Sequence, residues 1–185
     1  MKYGLATLVM NLIFALGETL IFVIGYQLLT LFFDKELPQK GYILSSFHSE
    51  IFITVLLVFL CSHVMALLIS SLVGESEITS VILAVVAGIA QFSLSGTILQ
   101  LPRGIKQVDH LIFLGYGHKL FGMSNGLKTI PSAMASYHIP IDKNQLHQFS
   151  ASHATAIGEW WQLGLHILVY VIVFLAVLRY KKESS

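Results

Sequence analysis

The sequence predicts an all-α integral membrane protein with about four transmembrane helices and a re-entrant or interfacial helical segment. Hydrophobic residues make up 55% of the 185 residues and charged residues only 11%. That charged fraction is about half the value of ordinary soluble domains. The apolar residues also occur in runs long enough to cross the hydrocarbon layer, which takes about 20 helical residues. We therefore expect one membrane domain over residues 1–185.

The first predicted helix covers Gly4 to Phe33 and is longer than one crossing requires. It should therefore be tilted or extend past the membrane surface. A polar run that begins at Asp34 ends the helix. Pro38 and Gly41 then keep the following loop from being helical throughout.

The second and third predicted helices, Ile51–Val73 and Ile78–Leu101, form an antiparallel hairpin because only a short acidic turn joins them. Each helix carries small residues four apart on one face, a pattern that lets helix backbones approach closely in lipid. We expect the two faces to pack together, and the alternative is that the small residues occur there by chance. The residues are Ser62, Ala66 and Ser70 in one helix and Ser80, Ala84 and Gly88 in the other.

The section 102–158 follows the hairpin. Its apolar part, His110 to Leu120, is too short to cross a membrane, so we expect a re-entrant or interfacial helix there. The last predicted helix covers Glu159 to Leu178. Trp160 and Tyr180 mark its two ends, as aromatic belts do at membrane surfaces.

Basic residues predict the orientation. Lys2 precedes the first helix, and Arg179, Lys181 and Lys182 follow the last one. Four crossings place both termini on one side, which the positive-inside rule makes cytoplasmic. The turn 74–77 is then cytoplasmic, and the loop 34–50 and the section 102–158 face outward. Lysine outnumbers arginine, which favours a bacterial plasma membrane as the location.

Glu18 falls near the middle of the first helix, where a carboxylate costs roughly 2.5–3.5 kcal/mol on insertion scales. Gly4, Asn11, Glu18 and Gly25 are spaced seven apart, so they share one helical stripe that should face protein or a water-filled cavity. Two interpretations stay open. Glu18 is either a pathway or proton-linked carboxylate, or a protonated or hydrogen-bonded group that fixes helix packing.

Further candidates for the pathway or for a helix interface are His63, Gln91, Ser93 and Ser95. For His63, a neutral ring bonded to a neighbouring helix is the commoner outcome in proteins. A haem site would have to pair His63 with His166, and their different depths in the predicted helices argue against it.

The sequence contains none of the common nucleotide-binding or hydrolase motifs, so we expect no enzymatic activity and no cofactor bound by this chain. Its single cysteine excludes an internal disulfide and a cysteine-rich metal site, and we expect no metal. A net charge of +1 offers no electrostatic footprint for nucleic acid. The tripeptide 115–117, Gly-Tyr-Gly, is similar to a potassium filter. The next helix follows too late for a pore loop, so we expect a turn there.

Five features occur in order from residue 50 to residue 182. They are the small and polar run Leu68–Val73, the short turn 74–77, Ser95-Gly96 with Leu101-Pro102, the apolar segment Leu111–Phe121, and a last helix that ends in Lys181-Lys182. In this order they resemble the permease domain of ABC-2-type exporters, including the half-size G-type transporters. The chain resembles the last four of the family's usual six crossings, without the family's main coupling helix.

The resemblance implies a permease subunit that forms part of an export pathway. ATP would be bound by a separate cytoplasmic nucleotide-binding subunit, and a second permease chain, identical or different, would complete the pathway. Asn11, Glu18, Gln91 and Ser93 would line the pathway or the dimer interface. The acidic turn would receive the ATPase through Glu75 and Glu77.

Two other functions stay open. The first alternative is a small non-transporting membrane protein, such as an immunity or assembly factor. The second alternative is a channel or a proton-coupled carrier that uses Glu18.

Overall fold

A computed structural model describes residues 2–34, 36–73, 76–95, 110–127, 149 and 152–183. Within these ranges there are five α-helices and no strand: α1 Lys2–Phe32, α2 Phe47–Val73, α3 Glu77–Leu94, α4 Phe113–Ser124 and α5 His153–Glu183. Four of them, α1, α2, α3 and α5, are long and apolar enough to cross a membrane. The predicted class, a multi-pass α-helical membrane protein, is confirmed.

Three helix ends differ from the prediction, and local hydrogen bonds explain two of them. The last helix begins at His153, earlier than expected, because the Ser152 hydroxyl accepts a hydrogen bond from the Thr155 N–H at 3.1 Å and caps it. The third helix ends at Leu94 instead of Leu101. The N–H of Ser95 closes that end on the Phe92 carbonyl. Helix α2 begins at Phe47 rather than Ile51.

Helix α2 is the centre of the fold, since it packs against α1, α3, α4 and α5. Its contact with α5 contains two polar links between otherwise apolar faces. The Trp160 Nε1–H donates to the Thr54 hydroxyl at 2.9 Å, and the Cys61 thiol donates to the Leu163 carbonyl at 3.4 Å. Both links hold the two long helices in one register.

Helix α4 lies where the sequence predicts a re-entrant or interfacial helix. Its 12 residues span about 18 Å, too little to cross a bilayer. Phe113, Leu120 and Met123 are at most 2% exposed, because α4 packs against α2, α3 and α5. The segment is therefore buried in protein. Its Gly-Tyr-Gly tripeptide is part of the helix, so it does not form an extended filter, and the turn expected there is wrong.

The expected packing of small-residue faces in the α2–α3 hairpin is wrong for most of its length. Ser80 is buried, but Ala66 and Ser70 are exposed, and a Cβ placed on Gly88 would meet no atom within 4 Å. The exposed positions therefore lie outside the contact between α2 and α3, and α4 packs against both helices.

Candidate functional site

A polar cluster joins α1 to α2 within the membrane-spanning helices. The two ring nitrogens of His63 contact two side chains of α1: Nδ1 lies 3.0 Å from Asn11 Oδ1, and Nε2 lies 2.8 Å from Glu18 Oε2. Asn11 and Glu18 are two helical turns apart, or about 10.5 Å, which leaves room for one imidazole ring between them. Three residues predicted from the sequence thus form one cluster, which we call the α1–α2 cluster.

The surroundings of the α1–α2 cluster differ on its two sides. Ala15 and Thr19 on the same helix are fully buried, and the Thr19 hydroxyl donates to the Ala15 carbonyl at 2.7 Å. The Glu18 side chain, by contrast, is 47% exposed, and the His63 side chain is 20% exposed. A carboxylate at this depth is costly in hydrocarbon, so its open side is expected to face water or another protein.

The predicted stripe on α1 faces protein along only part of its length. A Cβ at Gly4 would lie 2.9 Å from the Leu178 side chain of α5, so this end packs tightly. Asn11 and Glu18 face α2 through His63. Gly25 lies beside open space, because no atom would be within 4 Å of its Cβ.

The candidates on α3 are placed beside α4. The Gln91 amide donates to the Leu111 carbonyl at 3.0 Å, and its oxygen accepts from the Leu114 N–H at 3.4 Å. It therefore satisfies backbone groups at the start of α4, where no side chain of α4 itself provides a cap. Ser95 ends α3 with its hydroxyl on the Phe92 carbonyl, and Ser93 is half-buried.

Of the two candidates for ATPase docking, Glu77 is among the described residues and Glu75 is not. Glu77 is exposed in the first turn of α3, directly after the cap residue Ser76, whose hydroxyl accepts from the Thr79 N–H. Glu75 lies outside the described residues.

Sequence reasoning missed Glu50, which had been placed in the loop before the second helix. Its carboxylate is 1% exposed and accepts hydrogen bonds from the N–H groups of Ile43 and Leu44, at 2.6 and 3.2 Å. The Ser124 hydroxyl at the end of α4 donates to its other oxygen. A Cβ at Gly41 would overlap this carboxylate. An acidic residue in the first turn of a helix is a signal for such a site.

A cavity of about 390 Å³ lies between α1, α2, α3 and α4. Its walls are mostly aromatic and aliphatic side chains: Phe22, Val55, Val58, Phe59, Phe92 and Phe121. His118 is the ionisable residue of this wall. Burial, assisted by the neighbouring Lys119, lowers its pKa, so the ring is expected to be neutral there. The cavity suits an apolar group.

No metal cluster occurs among the described residues, and His63 and His166 have different partners. No group of three or more His, Cys, Asp or Glu side chains there could hold a metal ion. His166 bonds the Gln162 carbonyl of its own helix at 2.8 Å and packs against the Tyr116 and Tyr170 rings. It thus occupies a different environment from His63, which faces α1.

No family model, curated protein or solved structure matches this chain.

Proposed function

We propose that this chain is a membrane (permease) subunit of an ABC-2-like export system, part of a translocation pathway powered by a separate ATP-binding subunit. Its partners would be a cytoplasmic nucleotide-binding subunit and a second permease chain. The single observation that carries the proposal is α4. The family resemblance implies an apolar, non-spanning segment before the last crossing, and a 12-residue helix lies there, buried against α2, α3 and α5.

A polar cluster and an apolar cavity support a pathway rather than a purely structural bundle. The α1–α2 cluster has a carboxylate that is 47% exposed in the middle of an apolar helix. Such groups in membrane proteins usually face an aqueous route or a partner chain. In the proposed assembly, Glu18 faces the pathway or the second permease chain, and the cavity beside Phe22 receives an apolar part of the cargo.

The proposal includes a plasma-membrane location with both termini cytoplasmic. Cys61 is the only cysteine and is 0% exposed, so an introduced cysteine reports on its own position. In intact cells we expect a membrane-impermeant maleimide to label Gln39→Cys, and to label Tyr180→Cys only after permeabilisation. The opposite pattern would invert the proposed orientation.

The ATPase partner is tested by co-purification from the native host. We expect the gently extracted chain to bring down a nucleotide-binding subunit. Glu77→Lys should lower its recovery at least severalfold, because the charge is reversed on an exposed residue at the proposed docking turn.

The matched control is Glu36→Lys, which reverses an exposed charge in the loop after α1 and should leave recovery unchanged. If wild-type chain brings down no nucleotide-binding subunit, the exporter proposal fails and the non-transporting alternative is favoured.

The α1–α2 cluster favours one second candidate, a proton-coupled carrier. A Glu–His pair within spanning helices is a common element of proton relays. This alternative requires transport that stops when the proton gradient is collapsed and continues without ATP. The exporter requires the reverse dependence, so one transport assay in vesicles separates the two.

A further inference from the structure

The hydrogen bonds around His63 define which of its nitrogens carries a proton. The Asn11 amide nitrogen donates to the Thr7 carbonyl at 2.8 Å, so its Oδ1 must be the atom that faces His63. Reversing the amide would place Oδ1 against a carbonyl oxygen, which is repulsive. Since Oδ1 can only accept, His63 Nδ1 must be protonated.

This assignment determines the proton count of the neighbouring contact. With Nδ1 protonated, a neutral His63 has only a lone pair on Nε2, which lies 2.8 Å from Glu18 Oε2. Two lone pairs would face each other unless a proton lies between them. Either Glu18 is a neutral acid that donates to Nε2, or His63 is a cation that donates to the carboxylate.

We propose that Glu18 and His63 form a binding site for one proton that closes the contact between α1 and α2. The proton keeps the pair electrically neutral overall, whichever of the two partners carries it. Its loss would leave one uncompensated negative charge inside the membrane and two lone pairs in contact. The site is a property of this chain alone and does not depend on an ATPase partner.

Several other ionisable groups on the described helices bond elsewhere or lie at a distance from the pair. On α2, Cys61 bonds α5, and Glu50 bonds the loop and α4. Tyr26 of α1 bonds Asn125. The only Asp, Glu, Lys, Arg or His on α3 is Glu77 in its first turn. The cation Arg179 follows Leu178, which packs at Gly4, two turns of α1 from Asn11.

The direction of the pH dependence follows from the proton count. The closed contact holds one proton, and the separated helices lose it as the pH rises. The contact therefore weakens with rising pH, by up to about tenfold in its equilibrium constant per pH unit.

Nitrogen-15 NMR of the full chain in lipid nanodiscs, with labelled histidine, tests the proposal. The His63 signal is assigned by its loss in His63→Gln. We expect Nδ1 to stay protonated and Nε2 to be hydrogen-bonded. A neutral His63 with its proton on Nε2 and none on Nδ1 would overturn the proposal.

Two variants extend the test to the contact itself, followed by unfolding in mixed micelles as a function of pH. Glu18→Gln imitates the neutral acid, since its amide can donate to Nε2, and it should abolish the alkaline weakening. Asn11→Leu removes the acceptor at Nδ1, so we expect the proton to move to Nε2 and the pH dependence to flatten. His166→Gln is the control and should keep the wild-type profile. An alkaline slope that persists in both cluster variants would refute the site.

Discussion

Replacing Glu50 by leucine is expected to destabilise the chain by about 3 kcal/mol. The substitution removes the acceptor for the N–H groups of Ile43 and Leu44 and for the Ser124 hydroxyl. A buried donor left without a partner costs about 1–3 kcal/mol. Some of the loop N–H groups can form hydrogen bonds with water instead, which keeps the total loss below the sum for all three donors. Reversible unfolding of the purified chain in mixed micelles measures the loss of free energy.

Glu50→Gln is the matched control. Its amide oxygen can accept from the two loop N–H groups while its amide nitrogen donates to Ser124, so we expect a loss under about 1 kcal/mol. Equal losses for the leucine and glutamine variants would mean that the carboxylate's hydrogen bonds do not hold the loop and α4 on α2.

Gly117→Ala is expected to destabilise the chain by about 1–2 kcal/mol, although alanine is the better helix former. A Cβ at Gly117 would overlap Cγ2 of Val58, so α4 approaches α2 closely at this position. Valine on a helix has essentially one allowed rotamer, so its methyl group cannot turn aside and α4 must shift. The same unfolding experiment measures the effect.

Gly88→Ala provides the control, because its Cβ would meet no atom within 4 Å. We expect it to be neutral or to stabilise α3 by up to about 1 kcal/mol, the ordinary helix-propensity gain. The double variant Gly117→Ala with Val58→Ala should lose less than the sum of its parts, because removal of the valine methyl groups relieves the overlap. Strict additivity would contradict the close contact.

The four crossing helices could be predicted from the sequence because hydrophobic length is a property of each segment by itself. The same is true of the stripe on α1, since Asn11 and Glu18 share a face by periodicity alone. The register between α1 and α2 is different. Nothing within either helix specifies that His63 lies between those two side chains, so only the three-dimensional packing shows the cluster.

Two other features depended on chain segments whose position could not be inferred. The sequence pattern places Glu50 in the loop before α2. Its role becomes visible only in the structure, where the N–H groups of Ile43 and Leu44 donate to its carboxylate. The small residues of the hairpin predicted close packing, but a Cβ at Gly88 would meet no atom within 4 Å, so α2 does not cover that position. In both places the outcome depends on how separate segments pack together, which the pattern within one segment does not specify.

Helix α3 gives the molecule an uneven hydrophobic thickness. Its 18 residues span about 27 Å, whereas the 27 residues of α2 span about 40 Å. The hydrocarbon layer is about 30 Å thick, so we expect the bilayer to thin next to α3, whereas the longer α1 and α2 are expected to tilt. Thinning costs a fraction of a kcal/mol per Å. Elastic strain in the bilayer is thus expected to be highest at the α3 side and to fall when another protein shields that side from lipid.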